Sequence, residues 1–263
     1  MAALDATPAR LDHAALAISA LEYPEVDTAA FDTALSSLAA RVARAESEDP
    51  LTRLRRLRQV LADEERFRGN SEDYDAPENS FVNIVVESKV GLPITLSVIY
   101  LEVARRAGIP LFGVSFPGHF LVGSQVGDDK WILDPFYGGR ILTETGCRDL
   151  LKQVAPQATF SAKMIAPASA RSICYRMLSN LKRVYINGGD AERALGVMEL
   201  LLAIAPDHPG ELRTRATIFA SLGAYRSALA DVERCLALSP DAPDHENLVL
   251  TAKALRHRLE YLN

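Results

Sequence analysis

The chain is short of cysteine and of positive charge, and it has no long apolar run. Its 263 residues include three cysteines, Cys147, Cys174 and Cys235, at no motif spacing. Without a Cys-x-x-Cys pair a structural zinc site has no ligand set, and an odd number of scattered thiols fits a reducing compartment. Lys and Arg number 29 against 34 acids, a net charge of −5. That balance offers no basic surface to nucleic acid or to an anionic membrane. No stretch approaches the roughly 18 uninterrupted apolar residues of a membrane helix. The opening MAALDATPARLDHAALAISALEYPEVD carries early acids and no signal-peptide core. The expectation is a cytoplasmic protein that needs no metal and no cofactor. Among the five histidines, His13, His208, His245 and His257 lack a second ligand at helical spacing and read as surface or cap residues, with His13 in a mobile N-terminus.

What is present is an ordinary globular composition, 48% hydrophobic and 24% charged, of a length that suits one large domain or two small ones. The last third repeats itself. Ala194-Leu195 recurs as Ala228-Leu229, Gly189 as Gly223, Tyr185 as Phe219, Leu202 as Leu236, and Pro206-Asp207 as Pro240-Asp241, each 34 residues on (228 − 194). A period of 34 with small, aromatic and proline marks is the signature of a tetratricopeptide (TPR) helix pair. Small residues let helices cross closely, and the prolines stop the second helix of each pair. Residues 244–262 make the capping helix such an array needs. Matching Leu181 to the usual leucine of the first helix turns Arg176, Arg183 and Arg213 inward, where they would favour a protein or peptide partner that is acidic or ends in a carboxylate.

Upstream, residues 1–70 have helical spacing, with Phe31, Leu35, Leu38 and Val42 on one face. Asp49-Pro50 opens a further helix whose arginines (Arg53, Arg55, Arg56, Arg58) meet enough acids to form a salt-bridged, solvated face. A polar loop follows at 69–80, then a short helix over 80–90. Pro93 begins a helix that is apolar nearly all round and should be buried; Gly108 and Pro110 end it. Beyond Pro110 the period becomes two. Segments 111–116, 119–126 and 131–136 read as strands, the last two joined by a turn at Gly127–Asp129. A helix follows at 144–155 and a linker at 155–170. The expected organisation is an N-terminal helical region (1–70), an α+β core (71–160) and helical repeats with their cap (171–263).

One constellation in the core bears on chemistry. His119 opens a strand and Asp134 closes its neighbour, at similar heights about the turn. A carboxylate facing an imidazole can fix its tautomer and stabilise its charged form, the base half of a nucleophile–His–acid triad. The same residues also read as a buried His–Asp pair without chemistry, or as an Asp that shapes the turn before Pro135. Gly138-Gly139-Arg140 reads as a tight loop more readily than as a phosphate site, since no helix start follows closely.

The buried helix ending Ala107-Gly-Ile-Pro110, the strand His and the strand Asp after Trp131 together resemble the transglutaminase-like (papain-like) core. In that family a Cys at the helix start is the nucleophile, a His the base and an Asp its orienter. The resemblance gives His119 and Asp134 the last two roles and puts Pro93 where the Cys belongs. Thr95 and Ser97 lie near that position. The runs Asn79-Ser80, Gly91-Leu-Pro-Ile-Thr-Leu-Ser97, Pro117-Gly-His-Phe120 and Asp134-Pro-Phe136 more closely resemble the SirB-type proteins, over roughly 20–263. These join a transglutaminase-like core to C-terminal TPR repeats and are often named regulators of sirC expression. The resemblance implies a cytoplasmic bacterial protein with a regulatory role and no established reaction. Three functional classes follow: a non-catalytic binding protein with a degenerate site, an amidase or peptidase that uses His119 and Asp134 with another nucleophile, and a structural helper with no ligand.

Overall fold

Aspartates open two of the three N-terminal helices. Helix α1 is Leu11–Ser19 and α2 is Thr28–Ala43, where the Asp27 carboxylate accepts the amides of Ala29 and Ala30. Asp49 likewise caps α3, Pro50–Arg58, which runs on as a π-helical turn over Gln59–Glu64. The computed structural model describes residues 10–44 and 49–261. Leu54, Leu57, Val60 and Leu61 are fully buried. The arginines of α3 face acids as expected: Arg56 pairs with Glu64 and Arg58 with Asp63. Arg53 does something else, donating to the carbonyls of Ala107 and Gly108 at 2.9 and 2.8 Å.

Those carbonyls end the central helix. Two short parallel strands, β1 (Arg68–Gly69) and β2 (Val90–Gly91), bracket α4 (Val82–Ser88) and lead into α5, Pro93–Arg106. Every residue of α5 from Pro93 to Ala104 is buried, and α1, α2 and α4 pack on it. Its apolar circumference leaves no face for water. Gly108, at φ +68°, closes it with the left-handed conformation that a side chain resists.

The sheet is antiparallel throughout, in the order β3 (Phe112–Val114), β4 (Leu121–Val126), β5 (Asp129–Asp134), β6 (Arg140–Leu142). The first expected strand is shorter at both ends, β6 was not foreseen, and the second and third differ from their expected bounds for local reasons. Pro117-Gly118 makes a turn, so the second strand starts at Leu121. Pro135–Tyr137 coils into a 3₁₀ turn, so the third ends at Asp134. The hairpin turn is two residues long, Gly127 and Asp128, and Asp129 already pairs with Val126. Helix α6, Glu144–Val154, covers one face of the sheet through Cys147, Leu150 and Leu151. The segment after it, expected as a linker, instead packs Phe160, Met164 and Ile165 on that layer. The Ala168 amide also donates to the Gly113 carbonyl at 2.8 Å.

The chain divides into two compact units, up to Met177 and from Leu178 onward. The N-terminal helices and the sheet fall in the first. In the repeat region the helices are α7 (Ala170–Asn187), α8 (Ala191–Ile204), α9 (Pro209–Ser221), α10 (Tyr225–Leu238) and α11 (His245–Tyr261). The 34-residue period is visible in the backbone: Gly189 and Gly223 turn at φ +73° and +76°. Ala194 and Ala228, the close-crossing positions, are both fully buried. Leu202, Leu212, Val232, Leu248 and Leu255 join α8 to α11 in one core.

Candidate functional site

The site is built on a four-residue turn. In Phe116-Pro117-Gly118-His119 the His119 amide donates to the Phe116 carbonyl at 3.1 Å. Gly118 sits at φ +67°. Proline followed by a glycine at positive φ is the order a type II turn requires. A Cβ on Gly118 would also lie 2.5 Å from the Val154 carbonyl oxygen, so no side chain fits. Arg176 holds both ends of the turn, donating to the Phe116 carbonyl at 3.2 Å and to the His119 carbonyl at 3.1 Å. Burial among these groups lowers its pKa. His119 therefore belongs to the turn that precedes β4 and not to the strand itself, which corrects the expected strand position.

Asp134 is the last residue of β5 and is fully buried. Its Oδ1 lies 2.9 Å from His119 Nε2, and its Oδ2 accepts from Arg140 Nη2 at 3.2 Å. A carboxylate held by an arginine only accepts, so Nε2 carries the proton and donates. In the neutral ring Nδ1 is then the accepting nitrogen, as in a base oriented by an acid. The imidazole is 5% exposed. Two aromatic residues of the 3₁₀ turn cover it: Tyr137 stacks at 6.0 Å, and Phe136 meets the ring edge-on at 5.8 Å. The Arg140 guanidinium lies over the Tyr137 ring, 4.4 Å from its centre. The cover thus comes from the 3₁₀ turn.

The sequence reading did not single out Tyr137, and it placed Arg140 only in the Gly138-Gly139-Arg140 loop. The signal was Gly138-Gly139, read only as a tight loop. Both glycines have positive φ, and the Gly139 amide donates to the Asp134 carbonyl at 2.8 Å. This closes a hairpin in which Asp134 pairs with Arg140.

Pro93 is the first residue of α5 and is buried. The two hydroxyls near it are engaged. Thr95 Oγ1 accepts the Leu92 amide at 3.0 Å and donates to the Asn79 carbonyl at 2.7 Å. Ser97 donates to the Pro93 carbonyl at 2.7 Å. The cysteines lie elsewhere, all buried. Burial first, and then the charges of Asp134 and Glu144, push the Cys147 thiol up. Burial pushes that of Cys174 up to about 12. A thiol so shifted is not a thiolate at neutral pH.

The inward arginines of the repeats are also occupied. Arg176 grips the turn, Arg213 pairs with Asp244 at 3.2 Å, and Arg183 is half-buried on α7. Among the described residues, one cluster has ligand atoms close enough for a metal: Asp12, His13 and Asp32. His13, expected in a mobile segment, lies on α1. Arg106 already bonds both carboxylates at 2.7 Å, and Arg10 bonds Asp12 at 3.1 Å. A cation would have to displace two guanidinium groups, so the donor set serves ion pairing.

The family model described as the transglutaminase-like superfamily matches residues 29–179, and that of the tetratricopeptide repeat matches 181–250. A UPF0162 protein of Xylella fastidiosa is 38% identical over 248 residues, which cover 91% of this chain and 88% of that protein. A UPF0162 protein of Pseudomonas aeruginosa is 31% identical over 185 residues, 69% of this chain and 67% of its own. F-box only protein 21 of Mus musculus is 31% identical over 177 residues, 63% of this chain and 27% of its own. No solved structure matches.

Proposed function

The chain belongs to the transglutaminase-like superfamily, and from that premise we propose that it is a non-catalytic, regulatory binding protein. Its core keeps the base and the acid of a triad but has no nucleophile. The observation that carries this reading is the start of α5. Pro93 occupies the position where the family resemblance calls for a thiol, and the protons of Thr95 and Ser97 go to backbone carbonyls. A hydroxyl attacks only when a base takes its proton, and these protons are committed elsewhere. Under this reading His119 and Asp134 hold a recognition surface, with Tyr137 and Arg140 at its mouth, and the TPR segment makes the contact with a protein partner.

Kinship with the SirB-type regulators rests on the motifs around Pro93, His119 and Asp134. Three unpaired cysteines support a reducing, cytoplasmic setting. Among the described residues no helix is long and apolar enough to cross a membrane. An acidic partner would have to compete with Asp244 for Arg213 and with two carbonyls for Arg176.

The test is turnover of fluorogenic anilide and thioester substrates by the full chain and by His119→Ala. The expected result is no hydrolysis or acyl transfer by the parent above the level of the variant. Turnover that disappears on His119→Ala would overturn the reading and establish an amidase or peptidase.

A further inference from the structure

The surroundings of His119 hold more positive charge than they neutralise. Asp134 answers Arg140. Arg176 has no such partner: among the described residues it bonds only neutral oxygens, the Ser115 hydroxyl at 3.4 Å and the Phe116 and His119 carbonyls at 3.2 and 3.1 Å. A guanidinium has five N–H groups, so two are left over. A half-buried cation without an anion is costly to hold, and burial already lowers the Arg176 pKa. The excess is local, since the whole chain carries a net charge of −5.

A second unmet group belongs to the imidazole. With the proton on Nε2, His119 Nδ1 is an acceptor, and no described residue donates to it. The hydroxyls of Ser80 and Tyr100 also lack partners, but they are sealed from water. Nδ1 is not sealed, so the small exposed part of the ring includes it. Beside it the aromatic rings form a continuous run: Tyr74 lies 6.1 Å from Phe136, and Phe136 lies 5.1 Å from Tyr137. Both tyrosines are exposed. The Tyr74 end is within electrostatic reach of Arg176, and the Tyr137 end lies under Arg140. The surface therefore presents an acceptor, an apolar platform and a cation toward each end of that platform.

We propose that this surface captures the free C-terminus of a partner polypeptide whose last residue is aromatic or large and apolar. Such a residue carries all three complements on one Cα: an amide N–H for Nδ1, a side chain for the rings and a carboxylate for a guanidinium. The half-exposed Arg140 takes the carboxylate, and Arg176 adds the charge that no carboxylate of the protein offsets. An internal acidic side chain would bring the charge without the adjoining amide and apolar group. The inference rests on the non-catalytic reading above, because a captured C-terminus has to survive in place.

Fluorescence anisotropy of the full chain tests this with fluorescein-labelled Ser-Gly-Ser-Gly-Phe, its C-terminal amide, and the same two peptides ending in Gly. The Phe acid is expected to bind saturably. Its amide and the Gly acid are each expected to bind roughly tenfold more weakly, through loss of the charge-assisted contact or of the buried side chain. Nitrogen NMR ties binding to the site: the His119 Nδ1 resonance should move at saturation while Nε2 keeps its proton. Arg140→Gln should bring the Phe acid down to the affinity of its amide. Arg148→Gln, which makes the same change of net charge on α6, should leave both affinities unchanged. Both arginines are half exposed, so neither change threatens the fold, and a urea midpoint confirms it. Absence of saturable binding, equal affinity for acid and amide, equal weakening by the two variants, or an unmoved Nδ1 resonance would overturn the proposal and leave the non-catalytic reading standing. Tighter binding of Ser-Gly-Asp-Gly-Phe-amide than of the Phe acid would overturn it in favour of an internal acid. Release of the terminal phenylalanine, seen by mass spectrometry of the recovered peptide, would overturn the non-catalytic reading itself and the capture role with it.

Discussion

Among the described residues of the first unit two carboxylates are fully buried, Asp12 and Asp134, and the protein treats them in opposite ways. Asp12 on α1 is surrounded by guanidinium: Arg106 at 2.7 Å, Arg10 at 3.1 Å and Arg105 at 3.7 Å. Arg106 also reaches Asp32 on α2 and Glu102 on its own helix, so one ion network ties α1 and α2 to the central helix. Asp134 has a single arginine, itself half exposed, and gives its other oxygen to an imidazole. Burial makes an unpaired charge expensive in both places. At Asp12 full pairing leaves nothing to titrate near neutrality and nothing for a ligand to take. At Asp134 the partner is an imidazole, and its second nitrogen remains an acceptor. Burial alone therefore does not mark a site; the kind of partner does.

The comparison breaks first on stability. Arg106→Ala leaves Asp12, Asp32 and Glu102 short of their common cation inside the fold. Removing one partner of a buried pair costs about 3–5 kcal/mol, and the lower end is expected because Arg10 remains. His119→Ala leaves Asp134 its bond to Arg140, and should cost about 1–2 kcal/mol. Urea midpoints at pH 7 measure both. Equal costs would make His119 a structural tie like Arg106, and would favour the structural-helper class for this protein.

Acid sharpens the contrast. Burial by itself raises the Asp12 pKa, but the Arg10 hydrogen bonds, the His13 amide and the Arg106 charge outweigh it and bring the value down to about 2. A carboxylate depressed from 3.8 in the unfolded chain contributes its stability fully above that value, and loses it as pH falls toward 2. The amount is roughly 2 kcal/mol. Chemical denaturation between pH 5 and pH 2 should show that decline in the parent. Asp12→Asn should be less stable at pH 5 and should lack that part of the slope. A variant with the parent's slope would place the acid-sensitive carboxylate elsewhere.

Legibility in the sequence follows the range of the interactions. The repeats were readable because their signals are local: Gly189 and Gly223 must turn left-handed, and Ala194 and Ala228 must let helices cross. The burial of α5 was readable for the same reason, since apolar side chains such as Ile94, Leu96, Val98, Ile99 and Leu101 ring it and have to avoid water. The His119–Asp134 pair came from hairpin counting, although the Pro117-Gly118 turn, and not a strand, delivers the imidazole. What stayed hidden depends on chain closure over distance. Arg106 and Asp12 are 94 residues apart in sequence. Arg176, placed on the inner face of a repeat by pattern, lies 57 residues from the His119 carbonyl it holds. Arg140 is near Asp134 in sequence, but its role appears only once two glycines at positive φ fold β6 back onto β5.

Arg140 also sets the smallest and most selective test. It touches Asp134 Oδ2 and covers Tyr137, but it is 46% exposed, and an ion pair so open to water contributes about 1 kcal/mol or less. Arg140→Ala should therefore shift the urea midpoint slightly. Its larger effect should be on Tyr137, which loses the cation over its ring while keeping the stack on His119. Nitrogen NMR of the His119 ring separates the two roles of the arginine. If Asp134 alone orients the imidazole, the Nε2–H tautomer persists in the variant, and the ring proton exchanges faster with water as Tyr137 loosens. If the tautomer is lost, Arg140 is what keeps Asp134 an acceptor. The pair at Asp134 then depends on its guanidinium as fully as the network at Asp12 does, and the contrast between the two carboxylates collapses to one of exposure.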